Sequence, residues 1–571
     1  MKMKKLGALL MATLITVGMM TACTPETEGG GETTGGVPER TYTGKEKTLK
    51  VLNYNGGFGE AWLEWTKYRF EEEYKDLAFE AEGKVGVKIE IDSDKDGYYG
   101  QGLMDRMPTV NHDVFFSESI KYTTWISSNY MMDITDVVTE LNLDNKTIES
   151  KMSAEQKAAL KVDGAYYCVP HYAAFTGINY DIDLFDAKKL YYKKNCAPSE
   201  ENFSGTVAYT NLAGARSAGP DGEYNTYDDG LPATYDEFFA LCGYMKNTLS
   251  ITPFTWTGGY IDTYTNWILS ALAADYEGKE QMMLNYNFEG TAKNLATIEG
   301  TGADARIVLD AEDTVIEAAN GYELYRSAGR YYALEFFEQI VDGNYYHTDG
   351  FGDASAIAAQ ATYLRSRQQS DKDDVAFLLE GNWWENEADD ASTFSTMAKR
   401  YGDKWARENR RFGMMPLPKA TADKIGEKAT LVDNNLSYAF IRKNISPNNV
   451  ELAKLFLKYC YTDAELQSFT EVVGAPKALT YEMPEDTAWK SAYSKNVWDL
   501  YANADKVYPI SNSTLYLRHQ SDFVYFETFV TSDEKHAVQS LNRGYTSEDY
   551  FKGISGFKNA TWWQNTMMKG L

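Results

Sequence analysis

Histidine and cysteine are scarce, five of each in 571 residues. None of the histidines has ligand-like spacing, and Cys168, Cys196, Cys242 and Cys460 are too far apart for a zinc cluster or a CxxC redox pair, which argues against a zinc hydrolase. In an exported chain these cysteines could pair, but their apolar or isolated settings favour buried free thiols. Basic charge is also short: 56 Lys and Arg face 83 Asp and Glu, for a net charge of −27. Such a chain avoids nucleic acid and anionic lipid surfaces. No Walker loop, HExxH string or nucleophile elbow occurs. Apart from the first twenty residues, no window approaches the roughly 20 apolar residues that span a bilayer.

Those first residues form a leader. Lys2, Lys4 and Lys5 precede the apolar run Leu6 to Met20, and Met20-Thr-Ala-Cys23 closes it. A basic segment, a short apolar segment and small residues before the cut make an export signal over residues 1–22. Small residues before a cysteine resemble the bacterial lipobox, which makes Cys23 the lipidated N-terminus of the mature chain. Met20 departs from the usual leucine, and an ordinary secretory signal is the alternative. Cleavage removes three lysines and takes −27 to −30. Thr24 to Gly36 offers nothing aliphatic or aromatic to bury, so 23–45 reads as a flexible tether.

What the chain has in excess is aromatic surface: 42 Tyr, 26 Phe and 12 Trp, 14% of all residues. Flat faces with polar edges suit sugar rings, which present C–H faces and hydroxyls. The roughly 530 residues after the tether suit a two-lobed body with a cleft. Thr48–Asn53 reads as a strand, about 60–74 as a helix with Trp62, Trp65 and Tyr68 on one face, Val85–Ile91 as an alternating strand, and Asp113–Phe116 as another strand. This β-α-β-α-β start predicts an α/β sheet with ligands beyond the carboxyl ends of its strands, near Asn53 to Gly57 and Ser117-Glu118.

Several segments carry a family resemblance. DGAYYCVPHYAAFTGINYDIDLF (163–185), LPATYDEF (231–238), FLLEGNWWENEA (377–388), FGMMPLP (412–418) and SYAFIRKNISPNNVELAKLFLKYCYTDAELQSF (437–469) resemble, in order, segments of the family 1 extracellular solute-binding proteins. The resemblance runs from about residue 47 to the C-terminus, with insertions near 186–230 and 276–320 and with Tyr235 and Trp383 as departures. It implies a type II periplasmic-binding-protein-like fold, two doubly wound α/β lobes with the ligand cleft between them. One lobe would hold 46–172 plus 419–475, the other 173–418 plus 476–571, with hinges near 173, 418 and 475. It further implies a monomeric sugar receptor of an ABC transporter, held by its lipid at the outer face of the cytoplasmic membrane, needing no cofactor and passing an oligosaccharide to the permease.

At the position of Trp383-Trp384, after Glu380-Gly381-Asn382, the family presents an aromatic platform to its ligand. Adjacent residues point opposite ways, so one of Trp383 and Trp384 should face the cleft and the other the core. Trp256 stands in a loop-rich segment, and Trp62 near the Gly56-Gly57 loop; both are ligand candidates. Glu118 is the first polar candidate, because the family places a polar residue after the strand matching DVFF and a carboxylate accepts two hydroxyls. Tyr54, His171, Tyr172 and Asn434 follow from their places near strand ends. Asp92 to Gly97 opens like an EF-hand but has Leu103 at position twelve, and reads as a solvated turn. The loop Asp221–Gly230, with Asp221, Asn225, Asp228 and Asp229, is a candidate structural calcium site; an exposed acidic insertion is the alternative. A glycosidase using Glu380 and Glu385, a surface glycan-binding protein without transport, and a peptide or ion receptor of related fold are the competing functions.

Overall fold

The structure, a computed structural model, describes residues 36–195, 208–300, 306–309, 312–365, 374–519 and 536–570. Cys23, its leader and Cys196 lie outside them. Tyr42–Leu571 form one compact unit. The elements that build the site are β1 (Lys47–Tyr54), α1 (Ala61–Glu73), β2 (Val87–Asp94), β3 (Val114–Ser117), β4 (Val169–Pro170), β5 (Thr176–Asp181), α2 (Tyr235–Leu249), β6 (Thr252–Thr255), α3 (Ile261–Asn287), β7 (Val375–Gly381), α4 (Trp384–Asp390), β8 (Phe412–Met415), β9 (Thr430–Val432), β10 (Tyr438–Ile441), α5 (Val450–Cys460), α6 (Asp463–Val473), α7 (Ala492–Asn503) and β11 (Asp505–Val507).

Two sheets organise the body. The first runs β2-β1-β3-β10-β4, with β1 parallel to β2 and β3, and β10 antiparallel to β3 and β4. The second runs β6-β7-β5-β8, with β6 and β7 parallel and β5 antiparallel to both of its neighbours. Both sheets are therefore mixed, although β1 to β3 keep the parallel βαβ start expected from the sequence. On β7, Leu378 packs in one core cluster, and Phe377 and Leu379, on the opposite face, in the other, so the second sheet is covered on both sides.

The helices follow their sequence signals. Thr234 caps α2 by accepting the Glu237 amide, just after Pro232. On α5, Leu452, Phe456 and Tyr459 are buried as the 3.6-residue period requires, while Leu455 sits half-buried beside the stripe. The long α3 breaks at Gly278, which has φ 74° and ψ 166°. That left-handed conformation is open to glycine at no steric cost.

The chain passes between the sheets three times, and the crossing segments bond to one another. The Ala173 amide donates to the Pro476 carbonyl (2.9 Å), the Ala478 amide to His171 (3.0 Å), and the Asn434 amide to Ala174 (2.7 Å). Cys168, Cys242 and Cys460 are free and buried.

Candidate functional site

The carboxyl end of β3 delivers Glu118 into a nearly closed setting, 7% exposed. Tyr172 donates its hydroxyl to Glu118 Oε2 at 2.6 Å, and the Tyr172 amide is itself held by Ser437 Oγ at 3.0 Å. Burial pushes the Glu118 carboxyl up to about 7; the neighbouring Asp433 charge adds to that, and the hydroxyls of Tyr172 and Tyr54 oppose it. Asp433, buried and accepting the Asn435 and Leu436 amides, is likewise raised to about 7 by burial. Two carboxyls near neutrality thus sit at the foot of the site.

Above them the side chains form a continuous run of rings. Tyr172 packs on Phe58 at 4.3 Å between centroids, Phe58 meets Trp383 edge-on at 6.3 Å, Trp383 meets Trp267 at 5.7 Å, and Trp267 meets Tyr264 at 5.3 Å. The run starts beside the first sheet and ends on α3 of the second. Tyr54 and Tyr99, 4.9 Å apart, stand beside Glu118. Phe58, Tyr172 and Trp383 are buried, whereas Tyr54, Tyr264 and Trp267 are half-buried and Tyr99 is exposed. The faces a ligand can reach are those of the second group.

Two further contacts join the sheets here. Gly57, φ 95°, lies so close to Trp383 that a Cβ at position 57 would come within 3.0 Å of the indole. Lys95, beyond β2, forms an ion pair with Glu387 of α4. The other oxygen of Glu387 accepts the Gln360 amide at 2.9 Å.

The remaining expected residues lie elsewhere. Trp62 is 3% exposed and packs on Phe116, His171 and Phe469. His171 is buried with it, and its Nδ1 is 2.6 Å from Lys477 Nζ. Burial, helped by the Lys477 charge, holds this imidazole well below the usual range. Both residues are core, because α1 and α6 close over that face of the first sheet. Trp256 is fully buried among Phe337, Tyr346 and Phe351; it directly follows the edge strand β6, and the residues near 346–351 cover it. Trp384, as the first residue of α4, turns into the core against Tyr363, Phe412 and Tyr493. Asn434 is buried and its Nδ2 bonds Thr176 Oγ1 at 3.0 Å, joining two crossings. In the acidic loop, Asp228 accepts the Asp221 amide (3.0 Å) and the Thr226 hydroxyl (2.7 Å), and Asp229 accepts the Asn225 amide (3.0 Å). Among the described residues no group of three or more His, Cys, Asp and Glu side chains is arranged to hold a metal ion.

No family model and no curated relative matches the chain. Solved structures do. A chitin oligosaccharide binding protein aligns over 90% of this chain and 98% of its own, at 16% identity and a TM-score of 0.51. A structure from work on xylan utilization by the thermophilic bacterium Caldanaerobius polysaccharolyticus aligns over 90% and 100%, at 10% identity and 0.51. Maltose-bound T. maritima MalE3 aligns over 90% and 98%, at 15% identity and 0.50. The chain has the two-lobed fold of solute-binding proteins.

In this solute-binding-protein fold the ring run and Glu118 lie at the carboxyl ends of strands from both sheets, where open α/β sheets bind ligands. Phe58, Tyr99, Tyr264 and Trp267 are the members that sequence reasoning missed. Tyr264 and Trp267 carried a signal, two large aromatics three apart near the start of a long helix, but the same spacing also describes a core stripe.

Proposed function

We propose that this chain is the sugar-capturing lipoprotein of an ABC transporter. An oligosaccharide would enter between the two lobes, stack on Tyr54, Tyr99, Tyr264 and Trp267, and give its hydroxyls to Glu118. The lobes would close over it about the three crossings, and the closed form would dock on a permease. Anchoring through a lipid on Cys23 at the outer face of the cytoplasmic membrane fits the leader, and among the described residues no helix is long and apolar enough to cross a membrane.

The observation that carries this reading is the run of rings from Tyr172 to Tyr264, which joins both sheets and ends on a carboxylate. Stacking faces with a fixed acceptor are what a polyhydroxylated ring requires. The similar chitin-oligosaccharide and maltose-bound proteins support a saccharide cargo. A glycosidase would need two free carboxyl groups, but Glu385 is tied to Arg407 at 2.7 Å and Glu380 is fully buried.

The test is isothermal calorimetry of the mature chain, from Cys23 onward, against malto-, xylo-, manno-, galacto- and fructo-oligosaccharides, with chromatography of each mixture. Micromolar or tighter binding of one class, with the glycan recovered intact, is the expected result. Cleavage would replace the receptor with an enzyme, and silence across the panel would overturn the saccharide assignment.

A further inference from the structure

Glu380, the penultimate residue of β7, is a carboxyl at 0% exposure. Among the described residues it has no ion-pair partner; its Oε1 accepts the Gly381 amide at 3.1 Å, and its Oε2 is buried without a hydrogen bond. The groups that face it come from several elements: Gln360 from the helix Ala356–Leu364, Tyr264 from α3, Glu387 from α4 and Tyr493 from α7. Gln360 approaches as a donor, since its Nε2 gives to Glu387 Oε2 at 2.9 Å and its pull on Glu380 favours the charged form. Burial outweighs that pull and, with the Glu387 charge, holds the Glu380 carboxyl well above the usual range. An ionised group here would be an unpaired buried charge beside a second carboxylate, so Glu380 keeps its proton.

The hydroxyl of Tyr264 lies within reach of both the Glu380 carboxyl and the Trp383 indole N–H. Trp383 stays close because its ring folds back over the end of β7, where a Cβ on Gly381 would overlap it. A phenol oxygen has one hydrogen to give and two lone pairs to fill. The indole can only donate to it. A carboxylate at 380 would accept the phenol hydrogen and turn it away from the cleft. A neutral acid does the reverse: Oε2, the oxygen with no other partner, carries the hydrogen and gives it to the phenol oxygen. With Gln360 approaching as a donor, the Tyr264 oxygen is the acceptor that remains for it.

We propose that Glu380 is a positioning residue of the sugar site: as a neutral acid it fills one lone pair of the Tyr264 oxygen, the Trp383 indole fills the other, and the Tyr264 hydroxyl is left to donate into the cleft. Glu118 accepts hydrogens from the sugar at one end of the ring run, and Tyr264 gives one at the other end, to a sugar oxygen that accepts. The inference rests on the saccharide site proposed above.

The test joins infrared spectroscopy to calorimetry on the mature chain, with maltotriose, xylotriose and mannotriose as probes. At neutral pH the carbonyl band of one protonated carboxylic acid should disappear in Glu380→Gln. Affinity for the sugar that binds should hold in Glu380→Gln, whose amide N–H can give the same hydrogen. It should fall about tenfold in Glu380→Leu and in Tyr264→Phe. The Glu380→Leu/Tyr264→Phe double variant should lose no more than either single one, because both changes break one hydrogen-bond chain. A merely structural role would lower the melting temperature of Glu380→Leu and add its loss to that of Tyr264→Phe. No change in the acid carbonyl band, loss of binding in Glu380→Gln, or additive losses would overturn the proposal while sugar binding by the parent chain stands. Silence from all three sugars would overturn the saccharide site and this inference with it. Should Glu380→Leu not fold, the Glu380→Gln spectrum and titration and the Tyr264→Phe titration still decide.

Discussion

Two aromatic shells in this molecule enclose a charged group, and they do it differently. Around Lys477 the rings of Trp62, Phe116, Tyr461 and Phe469 stand 4.2 to 5.8 Å from the side-chain nitrogen, His171 Nδ1 lies 2.6 Å from it, and almost nothing reaches solvent. Around Glu118 the rings leave faces open, and the carboxyl keeps lone pairs beyond the one Tyr172 uses. The first shell satisfies itself and belongs to the core. The second is unfinished, and an unfinished aromatic shell is what a ligand completes. Aromatic composition alone cannot tell them apart; the exposed faces do.

The largest effect that would sharpen this contrast is Trp62→Ala, which should cost about 3–5 kcal/mol of folding stability as a large side chain leaves a packed core. Chemical denaturation reads this loss, and sugar affinity per folded molecule should stay as it was. Loss of affinity without loss of stability would move Trp62 into the site. Trp383→Ala should weaken sugar binding more than tenfold, over about 1.4 kcal/mol, because it supports Trp267 and Phe58; an unchanged titration would detach it from the site.

The two shells should also respond oppositely to pH. Glu118 and Asp433 hold protons in the folded chain up to about 7, above their ordinary 4.5 and 3.8. The unfolded chain has already shed them, so their contribution to stability falls as pH rises from about 4 to 7. Lys477 is lowered by burial from 10.5 to about 7, so the unfolded chain binds the extra proton and stability recovers as pH rises from about 7 to 10. Melting temperature against pH should show both arms; Glu118→Gln should flatten the acid one while weakening binding, and Lys477→Met the alkaline one while leaving binding intact. A variant that flattened the wrong arm would refute the assignment. The smallest effect belongs to Lys95→Ala. Its side chain is 56% exposed, so the Glu387 pair should contribute only about 0.2–1 kcal/mol to stability. A larger loss in a melting curve would mean the pair does more than tie two loops together.

Much of the fold was legible in the sequence, because strand alternation and helix period are local. β1, β2, β3, α1 and α5 fall within a few residues of where the pattern put them. Glu118 could be picked out because it follows a short apolar strand directly. What failed was any inference from how a segment looks in isolation. Trp256 sits among glycines and threonines, yet the β6–β7 pairing and the residues near 346–351 wall it in. His171 looked like a strand-end ligand until Lys477, 306 residues away, supplied its partner. Tyr264 and Trp267 reach the site only because α3 packs against the loop after β7. None of these distances along the chain is written in a local pattern.

The touch between Gly57 and Trp383 has a kinetic meaning. A methyl group at position 57 would meet the indole and sit on a backbone, φ 95°, that side chains rarely adopt; it would act as a doorstop, propping two loops apart without removing any group a sugar could touch. Gly57→Ala should therefore leave the rate of capture alone and shorten the time a captured molecule stays. Residence time would then be set by a hydrogen atom rather than by a ligand contact.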